Sequence, residues 1–255
     1  VTATSAGSVT ITIAAVATPL GTLQPLQITS PGTVQVKFAQ PATSAAPSGG
    51  ANRPPVAQSV QVIAKAGTST RLVLIETPGN PTLKLTDVAA IAAITRPLGI
   101  RLAVDNTFLT PVGLQPLELG ADISLYSTTK YIEGHNATVG GALTTRDEAL
   151  AERFRFIRKS VGSIQAPHDA WLTLRGIKTL PCRLRQHSEN AQTVAEWLEK
   201  HPQVERVWFP GLASFPQAAL ARRQHRFHAG MIAFEVRGGV DAGIAVLNSV
   251  RLISL

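Results

Sequence analysis

Three short apolar runs, set at helix-length intervals, constrain this chain most. Residues 72–75 are continuously apolar, as expected of a parallel strand covered on both faces. Thr86 is placed to cap a helix, with Asp87 in its first turn, where the helix dipole favours a carboxylate. Val88, Ala89, Ile91, Ala92 and Leu98 give that helix an apolar face, and Pro97 with Gly99 ends it. Residues 100–104 form the second run. A short helix around 116–119 closes at Gly120, and 123–126 is the third run. Strand, helix, strand, helix, strand predicts an α/β domain built on a mostly parallel sheet flanked by helices.

Polar residues follow each run directly. Glu76 comes after the first, Asp105 after the second, and Ser127, Thr129 and Lys130 after the third. In open α/β sheets the site forms beyond the carboxyl ends of the strands. Taken singly, each residue has an ordinary reading: a lysine past a strand is a surface charge, and an Asp before Asn-Thr is a turn residue. Together they bring two acids, hydroxyls and an amine to one edge of one sheet.

Downstream, residues 169–180 and 183–201 read as two long helices. Trp171, Leu172, Leu174, Ile177 and Leu180 line a face of the first. Asn190, Val194, Trp197 and Leu198 mark a face of the second. A strand at 204–209, a basic helix at 217–226, a strand at 231–236 and an apolar run at 246–255 follow. Upstream, the composition changes. Residues 1–68 hold no Asp or Glu and only Lys37, Arg53 and Lys65 as cations. Runs with β propensity at 9–13 and 33–38 alternate there with Pro, Ser, Gly and Ala, and 41–55 reads as a linker or disorder.

The net charge of +8 therefore does not mark a binding surface for nucleic acid. After residue 68 the cations are interspersed with acids, the densest run, 153–159, reads as the solvated face of a helix, and no nucleic-acid reader motif accompanies it. The longest early apolar run, 9–16, is broken by Thr10 and Thr12 and is too short to span a bilayer. No Lys or Arg precedes Lys37, which does not fit the charged start of a signal peptide. The single cysteine, Cys182, excludes an internal disulfide and points to a reducing compartment; its expected place is the buried interior.

Several motifs, in order and spacing, resemble the Cys/Met-metabolism family of pyridoxal-phosphate (PLP) enzymes. They are Glu76-Thr77-Pro78-Gly79-Asn80-Pro81-Thr82, Val104-Asp105-Asn106-Thr107-Phe108 and Ser127-Thr128-Thr129-Lys130-Tyr131. Leu174-Arg175-Gly176-Ile177-Lys178-Thr179-Leu180 and Phe209-Pro210-Gly211-Leu212 extend the likeness. The family includes cystathionine γ-synthases, cystathionine and methionine γ-lyases, cystathionine β-lyases and homoserine-ester sulfhydrylases. The resemblance implies the large domain of a fold-type I PLP-dependent transferase over residues 57–201. It also implies the beginning of a small α+β C-terminal domain over 202–255, with 1–56 an unmatched low-complexity or disordered segment.

By the same resemblance, Lys130 is the lysine that forms the internal aldimine with PLP and later shuttles the α-proton. Asp105 is the acid paired with the pyridine nitrogen, which keeps the ring an electron sink. Ser127 and Thr129 bond the cofactor phosphate, Asn80 lies near the ring oxygen, and Thr107 reaches the edge beside Asp105. Glu76 is expected to support its loop, and His135 and His187 to be structural. The implied activity is transsulfuration by γ- or β-elimination or replacement on sulfur amino acids or homoserine esters, in a cytoplasmic homo-oligomer, dimer or tetramer, without nucleic-acid or membrane partners.

Some of the pattern departs. The upstream Ser-Gly-Met phosphate cup and the later carboxylate-binding arginine have no match, so the chain reads as incomplete at both ends. Gly79 stands for a usual Ser, Thr or Ala, Glu133 for a usual Gly or Asn, and Ala137 for a usual Asp. A PLP-binding fragment without turnover is the alternative reading.

Overall fold

The computed structural model describes residues 70–252, together with the backbone of strands β1 (Ala3–Thr4), β2 (Ser8–Ala14) and β3 (Ser59–Lys65). These three strands pair antiparallel in the order β1-β2-β3, with Ser8 opposite Lys65 and Ala14 opposite Ser59. The runs expected at 33–38 and 41–55 lie outside the described residues.

The apolar runs become the centre of a four-stranded sheet. Strand β4 (Leu72–Glu76) is followed by helix α1 (Val88–Thr95) and strand β5 (Arg101–Asp105). Then come a one-turn helix α2 (Thr110–Gly113), strand β6 (Ile123–Ser127) and strand β7 (Gly141–Thr145). The order is β4-β5-β6-β7, parallel for the first three, with β7 antiparallel to β6. Register sets Glu76 beside Asp105, so the two acids sit on neighbouring strand ends.

Helix α1 starts one residue later than expected. Asp87, not Thr86, is its N-cap, and the Asp87 carboxylate accepts the Ala90 N–H at 3.1 Å. Thr86 instead donates its N–H to Thr77 Oγ1, so its backbone serves the preceding loop. Val88, Ile91 and Ala92 pack on Val73, Ile75, Leu102 and Val104. Each of the larger side chains contributes about 1.5–3 kcal/mol by leaving water, and Ala92 about 0.8 kcal/mol. The helix ends in a 3₁₀ turn with Pro97 near its start and Gly99 left-handed at φ 65°.

Two expectations fail here. Among the described residues only one face of β4 is covered: Leu72 and Leu74 are 51% and 55% exposed. The helix expected at 116–119 is a set of hydrogen-bonded turns, and the helical turn falls at Thr110–Gly113. Asn106 explains that placement. Fully enclosed, it donates Nδ2–H to the carbonyls of Thr110 and Leu114 and so winds the chain around its own amide.

Helix α3 (Glu148–Val161) is capped by Asp147 and ends at Gly162, left-handed at φ 74°. Its basic run is solvated as expected, with Phe156 and Ile157 exposed beside it. The two helices read at 169–180 and 183–201 are one helix, α4 (Pro167–Lys200), running through Pro181. A proline there removes one hydrogen bond, to the carbonyl of Ile177. Both residues face solvent, so water can satisfy that carbonyl.

The buried face of α4 is also not the one expected. Thr173, Gly176, Leu180, Leu184, Ala191, Ala195 and Leu198 face inward, while Trp171, Leu174, Ile177, Val194 and Trp197 are exposed. Cys182 is exposed too, against the expectation of a buried thiol, and donates to the Thr179 carbonyl.

Strand β8 (Val204–Trp208), helix α5 (Ala218–Gln224), strand β9 (Ala233–Val236) and helix α6 (Gly239–Ser249) complete the description. β8 and β9 pair antiparallel. A second core joins Leu85 to Ala191, Ala195 and Leu198 of α4 and to Phe209, Phe215 and Ala221. Two glutamines lock α5 to the chain before α1. Gln217 accepts the Leu85 N–H and donates to the Leu85 carbonyl, both at 2.7 Å, and Gln224 donates to the Thr86 carbonyl at 3.1 Å.

Candidate active site

The carboxyl ends of β4, β5 and β6 carry the polar residues singled out above. At the end of β5 the Asp105 Oδ1 atom accepts the Thr107 N–H at 2.9 Å, and Thr107 Oγ1 accepts the Ser127 N–H at 2.8 Å. Asp105, Thr107 and Ser127 thus form a chain of contacts across two strand ends. Asp105 Oδ2 accepts no hydrogen bond from the described residues. Glu76 stands beside it. Partial loss of hydration, and then the neighbouring Asp105 charge, raise the Glu76 carboxyl above its usual range, against a hydrogen bond from the Asn80 N–H.

Lys130 lies on a turn immediately after β6. Residues 128–132 form a wide helical turn closed by Glu133 N–H to Thr128 O at 2.9 Å, with Lys130 itself off helical geometry at φ −90°, ψ −125°. Thr129 Oγ1 bonds Gly140 twice, donating to its carbonyl at 3.3 Å and accepting its N–H at 3.0 Å. This ties the turn to the start of β7. Arg183 of α4 supports it from below, donating to the carbonyls of Tyr131 (2.8 Å), Ile132 (3.3 Å) and Gly176 (2.8 Å).

Glu133 is 2% exposed and closes the turn on its other side. Its Oε2 accepts the N–H groups of His135 and Ala137 at 3.0 and 3.1 Å. Burial, the largest single influence, raises its carboxyl. The two backbone donors together with nearby His135 and Arg183 outweigh burial, and the carboxyl lies below its usual range. The following segment turns through Gly134 and Asn136, both at positive φ. His135 is structural as expected, with Nδ1 2.7 Å from the Glu133 carbonyl.

A cavity of about 730 Å³ opens over this turn, a size common for small-molecule sites. Of the six residues picked from the sequence, Asn80, Thr129 and Lys130 line it. Asp105, Thr107 and Ser127 do not, and remain at the strand ends behind it. The cavity also takes in residues not picked as site residues: Phe108, Tyr131, Asn136 and Met231. Adjacency to Lys130 was the available signal for Tyr131, whose hydroxyl accepts the Gly230 N–H at 3.1 Å and is pushed up in pKa by burial. His187, expected in a packing role, stacks edge-on against Tyr131 and also reaches the cavity. No sequence signal marked Met231, which arrives from the β8–β9 half of the chain.

Known proteins resemble this chain in sequence and in fold. Residues 52–255 match the family model described as Cys/Met metabolism PLP-dependent enzyme. The chain is 47% identical over 184 residues to the probable cystathionine gamma-synthase of Herpetosiphon aurantiacus, covering 72% of this chain and 58% of that protein. It is 48% identical over 189 residues to the L-methionine gamma-lyase of Porphyromonas gingivalis, covering 73% and 47%. Among solved structures, the cystathionine gamma synthase of Xanthomonas oryzae pv. oryzae in complex with aminoacrylate and cysteine superposes with a TM-score of 0.71 at 46% identity, over 72% of this chain and 48% of that one. The chain spans about half the length of the curated relatives it matches.

Proposed function

The chain belongs to the Cys/Met metabolism family of PLP-dependent enzymes, with the sheet architecture of fold-type I, and from that membership we propose that Lys130 is its catalytic lysine. The reaction we propose is elimination or replacement at the γ or β carbon of sulfur amino acids or homoserine esters. The observation that carries this reading is that Lys130, exposed at the carboxyl end of a parallel strand, shares one cavity with Thr129 and Asn80.

The donor set fits PLP in chemistry. It offers an accessible amine, a carboxylate with one oxygen free of partners among the described residues, and hydroxyls on the neighbouring strand end. PLP, when bound, supplies an electron sink for charge leaving the substrate Cα. Lys130 Nζ would tether PLP and move the Cα proton. Asp105 Oδ2 would hold a proton on the ring nitrogen, with Oδ1 fixed by the Thr107 N–H. Ser127 would offer its hydroxyl to the phosphate, as would Thr129 in exchange for its Gly140 carbonyl contact, and Asn80 and Thr107 would serve the ring.

Division of the chain near residue 201, with a small α+β unit beyond it, accords with the antiparallel β8–β9 pair followed by α6. Assembly as a dimer or tetramer accords with the exposed Trp171, Leu174 and Ile177. Cytoplasmic location accords with the free thiol of Cys182. Among the described residues no helix is long and apolar enough to cross a membrane.

The test is chemical capture. The purified chain is incubated with PLP, reduced with borohydride and peptide-mapped. An adduct on Lys130, absent from Lys130→Ala, is expected. The loaded protein should release pyruvate or 2-oxobutyrate, or form cystathionine, when given cystathionine, methionine or a homoserine ester with cysteine. A folded sample without adduct refutes the assignment of Lys130. An adduct without turnover of any of these substrates refutes the proposed reaction.

A further inference from the structure

The six residues discussed above do not account for Glu133. A carboxylate that is 2% exposed and sits three residues after Lys130 carries a desolvation cost that only specific partners offset. Its partners all belong to one piece of structure. Oε2 takes the N–H groups of His135 and Ala137, Oε1 lies 3.7 Å from His135 Nδ1, and its own N–H closes the Lys130 turn on Thr128 O. Its main chain is pressed against α4 at Gly176, where an added Cβ would fall 2.2 Å from the Glu133 carbonyl oxygen. Ala137, whose N–H this carboxylate holds, lines the cavity together with its segment neighbours Gly134, Asn136 and Thr138.

We propose that Glu133 is the positioning residue of the cavity: its enclosed carboxylate holds the wall at 134–138 against the turn that presents Lys130. Glu133 is not among the residues that line the cavity; it acts through the wall. Two charge-assisted bonds to backbone N–H groups fix a segment that contains Gly134 and the positive-φ Asn136 and that would otherwise sample other conformations. The wall in turn limits where a ligand over Lys130 can lie. As a statement about PLP this rests on the assignment of Lys130 above; as a statement about the wall it does not.

The experiment separates the two. Amide hydrogen exchange of the PLP-free protein reads the wall, and the PLP concentration needed for borohydride capture on Lys130 reads the site. Glu133→Ala should speed exchange at the His135 and Ala137 amides and raise the PLP requirement, each by about tenfold or more, as for loss of hydrogen bonds to a charged group. Glu133→Gln keeps an oxygen acceptor without the charge and should fall between wild type and Glu133→Ala in both readings, recovering roughly half of each effect on a logarithmic scale. Gln217→Ala, which cuts a clamp remote from the cavity, should lower global stability without raising the PLP requirement. Should Glu133→Ala not fold, Glu133→Asp, one methylene too short to reach both donors, is scored by the same two readings.

Unchanged exchange at those amides in the Ala or Asp variant overturns the proposal. So does an equal rise in PLP requirement in Gln217→Ala, which would make the effect one of overall stability. Wild-type protein that captures no PLP refutes the Lys130 assignment instead, and leaves the exchange result to decide the role of Glu133.

Discussion

Gly176→Ala tests whether α4 is packed on the lysine turn as closely as described. Gly176 lies inside α4 with the Glu133 backbone directly opposite. A Cβ there would lie 2.2 Å from the Glu133 oxygen and 2.9 Å from its C and Cα atoms. That is more than about 1 Å short of van der Waals contact. The obstruction is main chain, so no side chain can swing away. Against this, Ala in place of a helical Gly gains about 1 kcal/mol in propensity. Overpacking costs about 1–3 kcal/mol, and displacing the turn also strains the Arg183 bonds to Tyr131, Ile132 and Gly176 itself. The net, before that added strain, is a loss of up to about 2 kcal/mol, a fall in melting temperature of up to roughly 8 °C for a chain of this size. Gly243→Ala is the control. Gly243 is also helical, in α6, and a Cβ there meets nothing within 4 Å. It should show the propensity gain alone, up to about 1 kcal/mol. Both are read from urea midpoints under identical conditions. PLP capture on Lys130 should fall by up to about 10²-fold in the first variant, the scale of a 1 Å misplacement, and stay unchanged in the second. If Gly176→Ala matches Gly243→Ala in stability and captures PLP like wild type, the close contact between α4 and Glu133 is wrong.

Two other outcomes follow from buried polar groups. His225 is 8% exposed with its Nδ1 3.3 Å from Nδ1 of His228; burial, and then His228, lower its pKa to about 3. The unfolded chain takes up a proton near pH 6.5 that the folded one refuses, so stability is full above that pH and falls as pH drops from about 6.5 towards 3, by up to about 1.4 kcal/mol per unit. Urea midpoints at about pH 7 and about pH 5 should show that slope in wild type and a smaller one in His225→Phe; equal slopes would clear His225 of the effect. Gln217→Ala should cost about 1–3 kcal/mol, because it strands the buried N–H and carbonyl of Leu85 together, and a melting temperature within error of wild type would contradict that pairing.

The site edge was legible because two independent rules coincide on it. Period and apolar continuity locate β4, β5 and β6 to within a residue. The rule that ligands bind beyond the strand ends then picks Glu76, Asp105 and the Ser127–Lys130 stretch with no further information. What amphipathic pattern cannot say is which neighbour a face meets. On α4 the large residues, Trp171, Leu174 and Ile177, look like the core stripe, yet Glu133, which closes the Lys130 turn, packs on Gly176, and Thr138 meets Thr173. Close approach of two backbones selects small side chains, and a search for large apolar ones passes over it. Pro181 does not break α4, because the one carbonyl it leaves unpaired faces water.

The same physics explains why the strand ends could be read and the lysine turn could not. Asp105, Thr107 and Ser127 are held by bonds between adjacent strand ends, which the parallel order already implies. The turn is held by Arg183 and Gly176, more than forty positions along the chain, and by Glu133, whose burial no local pattern requires. Residue types at the edge follow from local rules, whereas the geometry of the turn that presents Lys130 follows from contacts made elsewhere. Glu133 was visible in the sequence only as a departure from a motif. Its place in the structure turns that departure into a specific carboxylate with two backbone donors, and so into the part of this site most open to test by a single substitution.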